Sequence, residues 1–300
     1  MKAMILAAGF GTRLEPLTKR LPKALMPIGN RPLLDRNIDY LKFSGAKEII
    51  VNAYHLAEKV LDHIGDGRRF GIPVSVRVEP KILGTGGGIR NVSDFWNENP
   101  FVVVNGDIVT DIELERAYKA HTESDALATL VLHSREPFNQ ILLNEDGTIR
   151  HIADKNLKNR LAFTGIHIID PALLDYLPVG QYHNVVETYR NLITSGEIIR
   201  GYQSKGHRWR DIGTPSSYLA ANREAVIGSP FLLGDDCVVH ENAHLSGWAV
   251  IGASSRIHEG ARVERSVLWD HVVIGKGVTV SDSVITSFQE VTEDITGGCY

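Results

Sequence analysis

A chain of 300 residues, 43% of them hydrophobic, has material for one large domain or two ordinary ones with a sizeable core. Its 32 Lys and Arg are outnumbered by 36 Asp and Glu, giving a formal net charge of -4, and neither a basic run nor an aromatic ladder accompanies them, which excludes a surface of the kind nucleic-acid readers use. Two cysteines, Cys237 and Cys299, are too few and too badly spaced for a zinc site or a disulfide framework; with no apolar stretch near the ~20 residues of a spanning helix, a cytoplasmic protein without membrane contact is expected.

The opening "MKAMILAAGF" passes into Gly-Thr-Arg without a typical cleavage site and reads as a strand, Lys2 to Leu6, and not as a leader. Further strands are expected at Glu48 to Val51, Val74 to Val78 and Phe101 to Asn105. Between them "RPLLDRNIDYLKFSG" has Pro32 near a helix start and Gly45 at its stop, and "HLAEKVLDHIGDG" sets Leu56, Val60 and Ile64 on one helix face. Strands separated by helices predict an α/β fold: a Rossmann-like, mostly parallel sheet between helical layers, with ligands beyond the carboxyl ends of the strands. The character changes after residue 226. Ile227, Leu233, Val239, Leu245, Ile251, Ile257 and Val263 recur every sixth residue, slip near Leu268 and Trp269, and resume at Ile274 and Val280. This hexapeptide rhythm predicts a parallel β-helix of about four coils over residues 227–300, after a first domain of residues 1–226. His240 and His244 are four apart, but in such a coil that spacing does not converge them on a metal.

The stretch "AAGFGTRL" follows the first strand. A dinucleotide fold wants G-x-G-x-x-G there, but the third position is Leu14; a P-loop wants a Lys-Ser or Lys-Thr pair that does not follow. What remains is Ala8, Gly9, Gly11 and Thr12, small residues that let backbone N–H groups approach phosphate oxygens, and the fixed cations Arg13 and Lys23.

The pattern A-A-G-x-G-T-R-L-x-P-L-T, continued by P-K-x-L-x-P-x-x-x-x-P-L, resembles the signature of the sugar-1-phosphate nucleotidyltransferases. Downstream, "EPKILGTGGGI", "VVVNGDIVTD", "FTGIHII" and "WRDIGTP" look like later motifs of that family in the family's order, and the hexads are similar to the left-handed β-helix that many members carry. The resemblance implies attack by a sugar-1-phosphate oxygen on the α-phosphorus of a nucleoside triphosphate, with release of pyrophosphate. A phosphate monoester has its second pKa at about 6, so this nucleophile needs no general base; the obstacle is the repulsion between two polyanions.

By the same resemblance Asp107 and Asp211 would hold Mg2+, with Asp111 as competitor, while Arg13 would brace the triphosphate and Lys23 would neutralise charge near the α-phosphate. Glu79, Gly84, Thr85 and Gly86, with the glycines after them, would meet the base. Thr164 and Gly165 would contact sugar hydroxyls with Asn139 and Glu187, and Lys155 would grip the sugar phosphate, although the family's usual Glu-Lys-Pro is here Asp154, Lys155 and Asn156. "VNAYHLAEKVLDHIGDGRRFG" looks like the branch holding mannose-1-phosphate and heptose-phosphate guanylyltransferases and N-acetylmuramate-1-phosphate uridylyltransferase. The muramate enzyme of that branch lacks a β-helix tail, so the hexads here favour GTP and mannose 1-phosphate, with the uridylyltransferase as alternative. A non-catalytic regulatory subunit of this fold would lose metal ligands or cations that this chain keeps. Four coils leave little room for an acyltransferase groove, so the tail is expected to serve assembly into a homo-oligomer.

Overall fold

The computed structural model describes residues 1–136, 138–155, 158 and 160–300. Packing divides them into two units: residues 1–10 with 36–209, and residues 11–35 with 210–300.

In the first unit, nine strands among the described residues form one sheet. We number them β1 (Lys2–Leu6), β2 (Glu48–Ala53), β3 (Val74–Val78), β4 (Phe101–Asn105), β5 (Ala128–His133), β6 (Asn139–Leu143), β7 (Ile149–Ile152), β8 (Leu161–Ile169) and β9 (Ile199–Gln203). The order is β7-β6-β8-β4-β1-β2-β3, with β5 pairing both β8 and β9. Near-continuous apolar runs make β1, β2 and β4 suited to burial on both faces, and all three lie parallel, Met4 facing Ile50 on one side and Val103 on the other. The sheet turns antiparallel at β8, which pairs with β4, β5 and β6. The sheet is thus mixed, because β6 and β7 pair antiparallel in sequence without a helical crossover between them. Helices α1 (Leu33–Phe43) and α2 (Ala57–Ile64) fall where expected, except that Leu56 precedes α2 in a left-handed conformation and only Val60 and Ile64 are buried on its face. Further on come α3 (Gly84–Asn91), α4 (Leu114–Thr122) and α5 (Val185–Ser195).

The core around β4, β5 and β8 includes Met4, Phe101, Val103, Leu130, Ile169, Tyr189 and Leu192. His167 sits here at 1% exposure, its Nδ1 2.6 Å from the Tyr189 hydroxyl and its Nε2 buried without a partner. Burial pushes this imidazole down to about 3, so between that value and about 6.5 the unfolded chain binds a proton that the native one refuses. The stability contribution is complete above about pH 6.5 and drains as pH falls, by about 2 kcal/mol at pH 5. Denaturant unfolding of the wild type and of His167→Leu at pH 7 and pH 5 checks this: the variant is expected to lose about that much less on acidification, and equal losses would mean that His167 is not held neutral.

The second unit, taken by itself, contains α6 (Pro215–Ala225), opened by Thr214 in a capping box with Ser217 and by Pro215 in its first turn. Phe231–Leu233, His244–Ile251, Arg262–Leu268, Thr279–Ile285 and Ile295–Cys299 stack into one parallel ladder; Val238–Val239, Arg256–Ile257, Val273–Ile274 and Glu290–Val291 make a second. Side chains one coil apart align, as in Leu245, Val263 and Val280, or Ile251, Leu268 and Ile285, and point into an aliphatic interior. About four coils result. The slip in the rhythm has a geometric cause: Gly247 and Trp248 turn one corner where the next coil uses Arg265 alone. Ile227, read as the first inward residue, is 83% exposed and outside the stack. His240 and His244 take a turn and a strand start, His240 Nδ1 accepting from Asn242 N. Among the described residues no helix is long and apolar enough to cross a membrane.

Candidate active site

In the first unit the candidates gather at the carboxyl ends of β1, β2 and β4, where parallel strands leave their last amides and carbonyls to loops. The backbone after β1 is tied down by Asn52 at the end of β2, whose Oδ1 accepts from Ala7 N at 2.7 Å. Asn52 Nδ2 donates to Glu79 Oε1 at 2.6 Å, and Glu79 Oε2 accepts from Leu83 N at 2.9 Å. Glu79 is 2% exposed; its burial pushes the carboxyl up against the lowering pull of those two bonds. Its geometry is that of a strut joining β1, β2 and the start of α3, holding Ala8 and Gly9 in place from behind.

The glycine run does not form an open turn. Gly84 to Gly88 enter α3, and the positions where Gly86 and Gly87 would carry a Cβ lie 2.7 Å from His183 Cδ2 and 2.5 Å from Gln181 O. Close packing of the 181–185 backbone is thus the physical reason for these glycines. Thr85 takes part, its Oγ1 accepting from Val185 N at 3.0 Å at the start of α5. Glu187 lies in the first turn of α5, exposed, 3.8 Å from His183 Nδ1.

Asp107 follows β4, and the preceding Gly106 N is held by Leu6 O at 2.8 Å, which sets the loop against β1. It is partly exposed. Asp111, its competitor, is engaged elsewhere: Arg208 donates to it from the backbone N at 2.6 Å and from Nε at 2.8 Å. Burial pushes the Asp111 carboxyl up, but the Arg208 bonds outweigh that and hold it below the usual range. Gly165 stands in β8 at φ 79, and a Cβ there would fall 2.5 Å from Asn105 Nδ2, so glycine brings β8 close to the end of β4 two residues before Asp107. The Thr164 hydroxyl donates to Val131 O at 2.7 Å, and Thr164 O accepts from Trp209 Nε1 at 2.9 Å. Asn139 is buried, its Oδ1 accepting from Arg135 N at 3.2 Å. Of the sugar-side candidates, then, Lys155 and Glu187 present exposed side chains, whereas Thr164 and Asn139 turn theirs to internal bonds. Asp154 pairs with Arg190 at 2.7 Å, and Asn156 lies outside the described residues.

Sequence reasoning missed an aromatic group beside Gly9. Phe10, 45% exposed, meets Tyr54 edge-on at 5.6 Å and His55 at 5.7 Å. The signal was there, in two aromatic residues directly after β2.

The second unit holds the cations and the other aspartate. Leu14 and Leu17 are buried and pin the loop after Gly11, with Thr18 Oγ1 donating to Gly11 O at 3.0 Å. Thr12 and Arg13 are exposed, and Lys23 is partly exposed with its Cβ against Gly11. Asp211 and Arg13 converge on one glycine. A Cβ on Gly213 would lie 2.4 Å from Asp211 Oδ1 and 2.7 Å from Arg13 Nη2. A guanidinium and a carboxylate oxygen thus meet over a residue with no side chain. Magnesium takes one or two carboxylates and completes its shell from phosphate oxygens and water, and Asp107 in the first unit and Asp211 in the second, each partly exposed, are each a carboxylate of that kind.

Small residues and Asp107 at strand ends of the first unit, Arg13, Lys23 and Asp211 in the second, and a hexapeptide β-helix in the same chain point to an enzyme class that transfers nucleotides. Comparison with known proteins agrees. Residues 2–226 match the family described as Nucleotidyl transferase, residues 220–299 match GlmU-like, C-terminal hexapeptide, and the chain belongs to the nucleotidyl transferase family. Its relatives act on sugar 1-phosphates by name. The UTP–glucose-1-phosphate uridylyltransferase of Synechocystis is 28% identical, over 95% of this chain and 87% of its own length. The mannose-1-phosphate guanylyltransferase of Mycobacterium tuberculosis is 28% identical over 93% and 82%. The N-acetylmuramate alpha-1-phosphate uridylyltransferase of Neisseria meningitidis is 33% identical, over 71% of this chain and 94% of its own. A crystal structure of a proposed glucose-1-phosphate thymidylyltransferase from Bacillus anthracis, in complex with sucrose, superposes with a TM-score of 0.65 at 25% identity, covering 75% of this chain and 95% of that one.

Proposed function

We propose that this sugar-1-phosphate nucleotidyltransferase joins GTP to mannose 1-phosphate in a magnesium-dependent reaction. A phosphate oxygen of the sugar forms a bond to the α-phosphorus, the bond from that phosphorus to the bridging oxygen breaks, and pyrophosphate leaves. The nucleophile is mostly dianionic at neutral pH, so the residues act by charge and position. Magnesium, when bound, would offset charge on the triphosphate; Asp107 and Asp211 are the residues that would hold it. Arg13 carries the charge that develops on the departing pyrophosphate, and Lys23 that near the α-phosphate. Backbone N–H groups around Ala8, Gly9, Gly11 and Thr12 receive phosphate oxygens, the start of α3 at Gly84 to Gly86, packed on residues 181–185 and braced by Glu79, lies beside the base, and Lys155, Glu187 and the Gly165 backbone serve the sugar phosphate. The meeting of Arg13 and Asp211 over Gly213 is the observation that carries an active enzyme over a regulatory subunit.

For base and sugar, the coiled tail sets the guanylyltransferase reading above the N-acetylmuramate one, since the Mycobacterium relative aligns with 93% of this chain and the Neisseria enzyme with 71%; the Synechocystis UTP–glucose-1-phosphate uridylyltransferase, at 95%, is not set apart by it. Uridylyl transfer to N-acetylmuramate 1-phosphate is the second reading, favoured by the higher identity of 33%. The last coil, Ile295–Cys299, ends the ladder and offers its outer edge to a second copy in a homo-oligomer. Pyrophosphate release from four triphosphates, each against mannose, glucose and N-acetylmuramate 1-phosphates with Mg2+, tests the reading. GTP with mannose 1-phosphate is expected to give the highest kcat/KM; a preference for UTP would replace the base, and silence with every pair would end the enzymatic reading.

A further inference from the structure

Residues 11–35, which carry Arg13 and Lys23, pack in the same unit as the β-helix. Their second half is fastened at three points. Tyr218 on α6 is fully buried, and its hydroxyl donates to Pro27 O at 2.5 Å while accepting from Trp269 Nε1, in the β-helix, at 2.9 Å. Gly29 N donates to Asn222 Oδ1 at 2.9 Å, and Asn222 Nδ2 in turn donates to Tyr218 O. Asn30 Nδ2 donates to Ile251 O at 2.8 Å, a backbone carbonyl of the coil stack. The fastening reaches back to Lys23, because Met26 N donates to Lys23 O and Leu33 N to Met26 O, each at 3.1 Å.

We propose that the β-helix is the seat of the phosphate-handling loop: through Tyr218, Trp269 and Asn30 it holds Pro27 to Asn30, and so the turn that presents Lys23 to the triphosphate. These three are positioning residues, and the proposal rests on the reading that Lys23 meets the triphosphate. A tail serving assembly alone would need none of these bonds. The Tyr218 hydroxyl, by contrast, satisfies two buried groups at once, one from the coils and one from the loop, and without it both are left unpaired.

The test uses the whole chain with Tyr218→Phe, Asn30→Gly and the two combined. Tyr218→Phe keeps the ring that fills the interior, and Asn30→Gly removes a partly exposed side chain at a position of φ 57 that glycine adopts without strain, so neither depends on a core deletion. Amide hydrogen exchange is expected to quicken about tenfold or more between Leu25 and Leu34 in the double variant, with the amides of Ile274 and Ile285 unchanged. The triphosphate KM is expected to rise about fivefold or more while the sugar-phosphate KM stays within about twofold. Unchanged exchange in the loop, an even quickening through the coils, or a KM change shared by both substrates would overturn the proposal. Local quickening in a protein whose wild type turns over no substrate pair would uphold the seat and reject the transfer reading instead.

Discussion

Asp107→Asn and Asp211→Asn are each expected to lower kcat on the order of 10²- to 10³-fold, with the fold intact. The size follows from what the reaction demands. Two polyanions must meet and a third, pyrophosphate, must leave; a carboxylate that anchors the offsetting charge is needed more in the transition state than in the ground state. Asparagine keeps the shape and one oxygen but removes the charge. Both aspartates are partly exposed, Asp107 in the turn after β4 and Asp211 at the end of the short strand Trp209–Asp211, so neither change opens a cavity or strands a buried ion. The measurements are steady-state turnover with saturating substrates and a thermal melt of each variant. Full turnover by either would remove that aspartate from the assignment even if the enzyme makes the predicted product.

Gly213→Ala is expected to cost turnover about 10²-fold while leaving the melting temperature within about 2 °C. Gly213 is not among the glycines at positive φ, so its backbone accepts alanine. The conflict is with two side-chain ends, Asp211 Oδ1 at 2.4 Å and Arg13 Nη2 at 2.7 Å from the added carbon. Long side chains can swing aside at small cost to stability, but both groups must leave the geometry the chemistry needs, and a displacement of about 1 Å can cost about 10²-fold. Loss of activity together with loss of the fold would mean instead that Gly213 is needed for packing. Full activity would mean that Arg13 and Asp211 act from other positions.

Much of this architecture could be read from the residues because it depends on local periodicity. The apolar runs of β1, β2 and β4 and the six-residue spacing from Leu233 onward each express one repeated geometric need. What escaped depends on partners distant in the chain. Glu79 looks like a base-reading acid until Asn52, 27 residues upstream, is seen to take one of its oxygens. Asp111 and Asp107 are equivalent as text, and that Asp111 is bonded by Arg208, 97 residues beyond it, is disclosed only by the fold. The glycines of α3 look like a surface for a flat ligand, whereas the 181–185 backbone packed on them is invisible to any pattern confined to their neighbourhood. Ile227 kept the rhythm by coincidence, one repeat ahead of the first strand of the stack.

The division of the second unit between two stretches of chain also governs the order in which the protein is completed. Tyr218 bonds a carbonyl 191 residues upstream, and Asn30 bonds one 221 residues downstream. A ribosome adds about 5–20 residues each second, so the early segment waits roughly 10–40 s before its anchor is even synthesised. Closing so wide a span is slow compared with pairing neighbouring coils, which nucleate and stack locally. The segment born first is therefore the last to be seated, after the tail has wound.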